Sequence, residues 1–275
     1  MPELPEVETV CKGLATIFVG QRFTSVVVLK ETLRFKIPAN FAKSLNNKIV
    51  LSVERRAKFI LIKLTDNSTL IIHLGMSGSF RVYSDFAPIE KHEHVIFHMS
   101  DNLEVRYYDP RRFGFMILTN TVGLLNLPMF KQLGPEPLAS NLNGDLLVTI
   151  LKGQKGPIKS ALLNQKVIAG IGNIYASEVL HLAKISPKRR ACNIIGVRST
   201  RLAFAIISVL EKAIKLGGAS LKDYRQLSGE MGYFQNYFRV YNQAGKYCKN
   251  CGQGIFIKRI VQSGRATFFC PKCQR

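Results

Sequence analysis

The chain has 275 residues, 47% of them hydrophobic, with 39 Lys and Arg against 18 Asp and Glu and a formal charge of +21. That length accommodates two modest domains, and the cationic excess points to a polyanionic partner, nucleic acid before a membrane surface. No apolar run approaches the ~20 residues of a spanning helix, and no lipidation signal, basic amphipathic tail or signal-peptide core is evident. The expected compartment is therefore the cytoplasm, where six Cys serve metal binding, packing or reactivity in place of disulfides.

The chain opens Met1-Pro-Glu-Leu-Pro-Glu-Val-Glu-Thr-Val10. Removal of Met1, expected ahead of a small second residue, would leave Pro2 with a free secondary amine. The reference pKa of a terminal amine is near ~8, so a modest lowering makes it a neutral nucleophile able to form a Schiff base. Pro5 fits a first helical turn, where its missing N–H costs nothing. Val7, Val10, Cys11, Leu14, Ile17 and Phe18 then share one helical face, so Pro2 and Glu3 would project from an anchored helix. Spacing alone leaves open the alternative that Glu3, Glu6 and Glu8 merely complement the helix macrodipole.

From Arg22 to Leu118 short β-branched runs dominate, among them Ser25–Leu29, Lys48–Val53, Phe59–Leu64, Thr69–Leu74, His94–Met99 and Leu103–Tyr108. Asp66-Asn67-Ser68 and Ser100-Asp101-Asn102 read as hairpin connections. The expected architecture for residues 1–132 is a β-sandwich with the first helix packed on it. Arg55-Arg56-Ala57-Lys58 puts three cations at a strand entrance, by itself the pattern of a charge-protected edge. Glycines on both sides of Met76, in His73-Leu-Gly-Met-Ser-Gly78, place that methionine at a loop tip. Asp109-Pro-Arg-Arg-Phe-Gly114 sets Phe113 beside Arg111 and Arg112. Taken singly these are core filler and a surface turn. Taken together they hold two apolar wedges and an arginine, the groups needed to fill the place of a base extruded from a duplex. His92 and His94 alternate, but no further ligand spacing completes a metal site.

Leu133-Gly-Pro-Glu-Pro-Leu138 breaks both helix and strand and marks a linker, 133–142, before a helical domain, 143–238. Helices are expected at Leu146–Leu151, Pro157–Asn164, Asn173–Ile185 and Thr200–Leu216, the last ended by Gly217-Gly218. Gln165-Lys-Val-Ile-Ala-Gly-Ile-Gly-Asn173 precedes the third, its glycines leaving N–H groups for an anion ahead of an N-capping Asn173. Glu178, on that apolar helix, is read as a partner for helix-end amides. Residues 217–234 are polar and glycine-rich, the composition of a mobile loop. In 239–275, Cys248-x2-Cys251-x18-Cys270-x2-Cys273 is the spacing of a four-thiolate zinc site, closed by Cys at every position and hence structural. Ile255–Val261 and Ala266–Phe269 read as a hairpin between the two knuckles, charged by Lys258, Arg259 and Arg265. Cys11 is read as packing, and Cys192 has no assigned role.

The opening residues, the two wedge loops, the Gly-x-Gly-Asn turn and the four Cys together resemble bacterial formamidopyrimidine-DNA glycosylase over nearly the whole chain. That resemblance implies an α+β protein: an N-terminal β-sandwich with its packed helix, a helix–two-turn–helix domain and a C-terminal zinc-finger β-hairpin. It implies a monomeric enzyme of base-excision repair in a bacterial cytoplasm, at the nucleoid, that acts on damaged double-stranded DNA and holds one structural Zn2+. Pro2 is then the nucleophile, Glu3 the proton donor, and Lys58 and Arg265 the partners in the elimination that cleaves the abasic site. Met76, Arg111 and Phe113 become the void-filling set. His92, Asn173 and Lys159 become phosphate contacts, with Gln154 and Lys155 in a nearby DNA-facing stretch, and 217–234 covers the everted base. A related glycosylase for oxidised pyrimidines shares the Pro-Glu start, but Leu4 and the Met76, Arg111, Phe113 set match the purine enzyme better. A non-enzymatic zinc-finger DNA-binding protein would leave the anchored Pro2-Glu3 terminus without purpose.

Overall fold

Leu4–Phe18 forms helix α1 in the computed structural model, which describes residues 2–84, 87–139, 141–220 and 231–275. Leu4, Val7, Val10, Cys11, Leu14 and Phe18 are buried along one side, the face that the spacing implied. The Cys11 thiol donates to the Glu54 carbonyl at 3.5 Å. Burial, reinforced by the charge of Glu8, pushes it far above the ordinary thiol range, so Cys11 packs and does not react.

Strands β1 (Phe23–Val28), β2 (Val50–Arg56), β3 (Phe59–Leu64), β4 (Ser68–His73), β5 (Ser79–Tyr83), β6 (Glu93–Met99), β7 (Glu104–Tyr108) and β8 (Phe115–Asn120) follow. They pair antiparallel in two four-stranded sheets, ordered β1-β6-β7-β5 and β2-β3-β4-β8. The chain changes sheet after β1, β4 and β7, and the last two crossings are the loops that carry Met76 and Phe113. The sandwich core holds Ile60, Ile62, Leu70, Ile72, Phe97 and Val105. Ile60 faces Ile72, and Ile62 faces Leu70, across β3 and β4. Phe18, Phe23 and Phe97 close one end, with ring centroids 5.4–6.1 Å apart, and so fix α1 to the first sheet. Edge strands β5 and β8 are the two that alternation did not single out. Short helices α2 (Phe41–Leu45) and α3 (Pro128–Lys131) flank the sandwich.

The chain divides into two compact units, 1–131 with 216–233, and 132–215 with 234–275. The second contains α4 (Gly144–Leu151), α5 (Ile158–Leu163), α6 (Asn173–Leu182), α7 (Val197–Lys215) and the hairpin β9 (Lys258–Gln262) and β10 (Arg265–Phe269). Asn143 caps α4, its Oδ1 accepting the Leu146 N–H at 2.9 Å. Helix α6 ends before the expected Ile185 because Lys184 turns left-handed, φ +56°. Helix α7 begins ahead of the expected Thr200. The Leu133–Leu138 segment is docked, since Gly134 N–H donates to Gln165 O and Ala169 N–H to Pro135 O. No helix among the described residues is long and apolar enough to cross a membrane.

Candidate active site and nucleic-acid interface

Pro2, Glu3 and Glu6 are all buried at the start of α1. Glu3 sits at the N-cap with extended dihedrals, and it forms a reciprocal capping box with Glu6. The Glu3 N–H donates to Glu6 Oε2 at 2.8 Å, while the Glu3 carboxylate accepts the Glu6 N–H. Such a box satisfies two donors that a helix start otherwise leaves open. The other oxygen of Glu6, Oε1, accepts the N–H of Ala219 at 2.8 Å. Ala219 stands at the foot of the 217–234 segment, bridged to Tyr233, and the Gly232 N–H donates to Ser220 Oγ beside it. The intervening residues 221–230, where the base-covering expectation falls, lie outside the described residues. Sequence reading gave Glu6 only a macrodipole role and missed this bridge.

Lys58 occupies the two-residue turn between β2 and β3 and is 8% exposed. Arg55 holds that turn against α1, donating from Nε to Glu8 Oε2 at 2.7 Å and from Nη1 to the Ala57 carbonyl at 3.1 Å. Ala57 takes φ +53°, the left-handed value that a tight hairpin asks of its first central residue. At the end of β4, burial and then the charges of Lys58 and Arg34 push His73 down to about 4, which keeps its ring neutral. His73 Nδ1 accepts the Gly75 N–H at 3.0 Å.

The two wedge loops meet. Gly75 has φ +61°, and a Cβ there would lie 2.4 Å from the Phe113–Gly114 backbone, so only glycine permits the approach. Asp109, fully buried, accepts from Ser77 Oγ at 2.5 Å, from Gly114 N–H at 2.8 Å and from the Tyr107 hydroxyl at 3.3 Å. Ser77 Oγ in turn accepts the Arg111 N–H at 3.2 Å. One carboxylate thus organises both loops, a role that sequence reading missed because Asp109 passed for a turn residue. Met76 is half-buried and Phe113 is 45% exposed, with the Arg111 guanidinium 4.9 Å from the Phe113 ring centre. His92, φ +79°, is half-buried with its ring edge toward Tyr108. His94 points inward, its Nε2 2.8 Å from the Asp109 carbonyl.

In the second unit, Gln165 shapes the loop before α6. Its Nε2 donates to Leu163 O and Ile171 O, and its Oε1 accepts the Gly170 N–H. The cap of α6 is Gly172, so Asn173 is the first helical residue and not the cap expected from its type. Asn173 Oδ1 is buried without a hydrogen-bond partner among the described residues. Gln154 is half-buried and Lys155 exposed, both in the turn between α4 and α5. Lys159 departs from the surface position that a phosphate contact suggests. It is 1% exposed, and its ammonium donates to Ala266 O at 2.9 Å and Thr267 Oγ1 at 2.8 Å. The burial follows from its place in α5 between Ile158 and Ala161, whose face packs inward. Arg265 is exposed at the start of β10, just after the turn Ser263-Gly264, where both residues take positive φ as a two-residue hairpin requires.

Glu178 accepts the N–H groups of Arg239, Val240 and Tyr241 at 2.8–3.0 Å. Its carboxyl is pushed up by burial against those three bonds. It does serve backbone amides, but those entering the finger and not those of a helix end. The thiols of Cys248, Cys251, Cys270 and Cys273 lie within 4.8 Å of one another and could hold a metal ion. The Cys248–Cys273 and Cys251–Cys270 sulfurs are 3.9 and 3.7 Å apart. A tetrahedral centre with Zn–S bonds of about 2.3 Å separates its sulfurs by about 3.8 Å, so the cluster fits zinc in size as well as donor type.

Family models for the formamidopyrimidine-DNA glycosylase N-terminal domain and H2TH domain match residues 1–116 and 133–225. The chain is 49% identical over 288 residues to the formamidopyrimidine-DNA glycosylase of Beijerinckia indica and 46% identical over 284 residues to that of Dinoroseobacter shibae, with 100% of each chain covered. Among solved structures it is similar to Lactococcus lactis Fpg in complex with DNA containing an abasic site, with TM-score 0.91, 37% identity and 99% of both chains covered. It is likewise similar to MutM in complex with DNA containing carbocyclic 8-oxo-G, with TM-score 0.90, 38% identity and full coverage of both chains. By its sandwich, its helical region, its four-thiol hairpin and these identities, the chain belongs to the formamidopyrimidine-DNA glycosylase family, DNA glycosylases of base-excision repair with abasic-site lyase activity.

Proposed function

We propose that the chain excises oxidised purines, 8-oxoguanine and formamidopyrimidines, from damaged duplex DNA through a Schiff base on Pro2 and then cleaves the abasic site by β,δ-elimination. The observation that carries this reading is the buried Pro2–Glu3 terminus, which Glu6 fastens both to its own cap and to Ala219. The DNA-bound Fpg and MutM structures support the substrate class.

With Met1 removed, the lone pair of the Pro2 nitrogen attacks the deoxyribose C1′. The C1′–base bond breaks and the base leaves with its electron pair. The nitrogen gives up its own proton, which the departing base takes, Glu3 gives a proton to the ring oxygen as the sugar opens, and the nitrogen–C1′ double bond completes the Schiff base. That cation acidifies the C2′ hydrogen. Its removal expels the 3′ phosphate, and a second elimination expels the 5′ phosphate. The Lys58 ammonium favours a neutral Pro2 amine by charge and moves protons during elimination, while Arg265 neutralises phosphate. Met76 and Phe113 fill the void behind the everted base and Arg111 meets its widowed partner. His92, Gln154, Lys155 and Asn173 hold backbone phosphates, contacts that position without reading sequence. Lys159 serves the same grip indirectly, by holding the strand that begins at Arg265. Cys248, Cys251, Cys270 and Cys273 bind one zinc ion, which supplies folding energy to the finger. The enzyme works as a monomer on cytoplasmic, nucleoid DNA.

The test is product analysis on a duplex with a single 8-oxoguanine. The reading requires free base and a one-nucleotide gap with phosphate on both sides. Base release with an intact strand, or no release, contradicts it.

A further inference from the structure

His181 lies in the last turn of α6 and is fully buried. Its Nε2 stands 3.6 Å from Cys248 Sγ and 3.8 Å from Cys273 Sγ. Those sulfurs are 3.9 Å apart, so the imidazole lies over one edge of the four-thiol cluster. Its other nitrogen, Nδ1, is buried without a hydrogen-bond partner among the described residues.

The two neutral tautomers differ sharply in cost here. With the proton on Nδ1, a buried donor would go unpaired and an Nε2 lone pair would face two sulfurs, which repel it when they are thiolates. With the proton on Nε2, the ring donates to sulfur and leaves only an imine acceptor unpaired. Burying an unmade hydrogen bond costs more where a charged partner is at stake, so the second tautomer prevails. A metal centre closed by four thiolates carries net negative charge, and N–H donors around it offset that charge. The Cys273 N–H already points at Cys270 Sγ at 3.5 Å, while Cys248 and Cys273 are the two sulfurs within reach of the imidazole.

We propose that His181 is a positioning residue of the metal centre, its Nε2–H donating to the Cys248 and Cys273 thiolates, fastening the centre to α6 and shielding those sulfurs from electrophiles. The inference rests on the zinc reading of the finger. Glu178, one turn earlier on α6, holds the backbone of residues 239–241, so a single helix grips the finger at its entry and at its metal. Nothing in the cysteine spacing points to this donor, because it comes from the helical region 67 residues before Cys248.

The test uses full-length, zinc-loaded protein. His181→Phe and His181→Met fill the site without an N–H, whereas His181→Gln restores one near Nε2. Zinc release under iodoacetamide is followed with a chromophoric chelator, and zinc affinity is measured by competition. The two apolar variants should lose metal at least tenfold faster and bind it about tenfold more weakly, a loss typical of an outer-shell partner. The Gln variant should recover most of both. In cobalt-substituted protein, the thiolate-to-metal charge-transfer band should move to lower energy in the apolar variants, because sulfurs freed of an N–H donate more strongly. Wild-type release rates and an unmoved band in a folded apolar variant would reduce His181 to packing and overturn the proposal. A wild-type chain that takes up no zinc would overturn the metal reading itself, and this proposal with it.

Discussion

Glu6 and Ala219 are 213 residues apart in the chain, yet the Ala219 N–H donates to Glu6 Oε1 at 2.8 Å. The second oxygen of the same carboxylate takes the Glu3 N–H. The cap that holds Pro2 and Glu3 and the foot of the 217–234 segment therefore share one side chain. Gly218, φ +77°, lies so near that a Cβ would fall 2.8 Å from Glu6 Oε1.

Glu6→Gln keeps one acceptor oxygen and turns an NH2 toward the other donor. A buried N–H left unsatisfied costs about 1–3 kcal/mol, so the urea midpoint should fall accordingly. Base excision should slow while binding to undamaged duplex persists. Gly218→Ala should reproduce the loss from the other side. Unchanged stability and excision in both variants would show the bridge to be incidental.

Met76→Ala should impair eversion more than docking. Unstacking a base costs a few kcal/mol, and losing part of the plug that offsets it should slow single-turnover excision about tenfold. Equilibrium binding to undamaged duplex is measured alongside. If excision stays at the wild-type rate, Met76 is core filler for its loop.

His73 gives a pH dependence with a definite sign. Burial and the charges of Lys58 and Arg34 hold its folded value at about 4, below the ordinary 6.5. Between these values the unfolded chain binds the extra proton, so stability is full above about pH 6.5 and is lost as pH falls toward 4. The loss amounts to about 2–3 kcal/mol. His73→Asn, whose Oδ1 falls near the place of the ring's Nδ1, can still accept the Gly75 N–H but does not titrate. Its urea midpoint should fall less than that of the wild type between about pH 7.5 and pH 5, and parallel curves would contradict the assignment.

Lys159→Met leaves Ala266 O and Thr267 Oγ1 without their donor. The second unit should lose about 2–3 kcal/mol, and amide exchange should quicken across 258–269. DNA binding should weaken as a consequence of the loosened hairpin. Full stability with weaker, less salt-dependent binding would instead make Lys159 a direct phosphate contact.

Features written in local pattern were legible in the sequence. The apolar face of α1, the turns at Asn67 and Asn102, and the Cys spacing each lie within a short window, and each appears in the structure where expected. What could not be read depends on partners far along the chain. Glu6 looks like any acidic residue in a first turn until Ala219 arrives, Asp109 looks like a turn residue until Ser77 does, and His181 gives no sign until the cysteines fold against it. Lys159 carries the residue type of a surface cation, yet its helical neighbours turn it inward. Asn173 has the chemistry of a cap, but Gly172, which adopts extended dihedrals with no side chain to accommodate, takes that position.

Borohydride trapping on lesion DNA, followed by peptide mapping, tests the role of Pro2 most directly. The adduct forms only from a neutral amine, so trapping should fall as pH drops through the pKa of the terminus. The cross-link should map to the Pro2 nitrogen alone. A protein extended ahead of Pro2 should neither trap nor release base, since a peptide nitrogen is not nucleophilic, yet it should still bind DNA. A cross-link on Lys58, or full activity from the extended protein, would contradict the account.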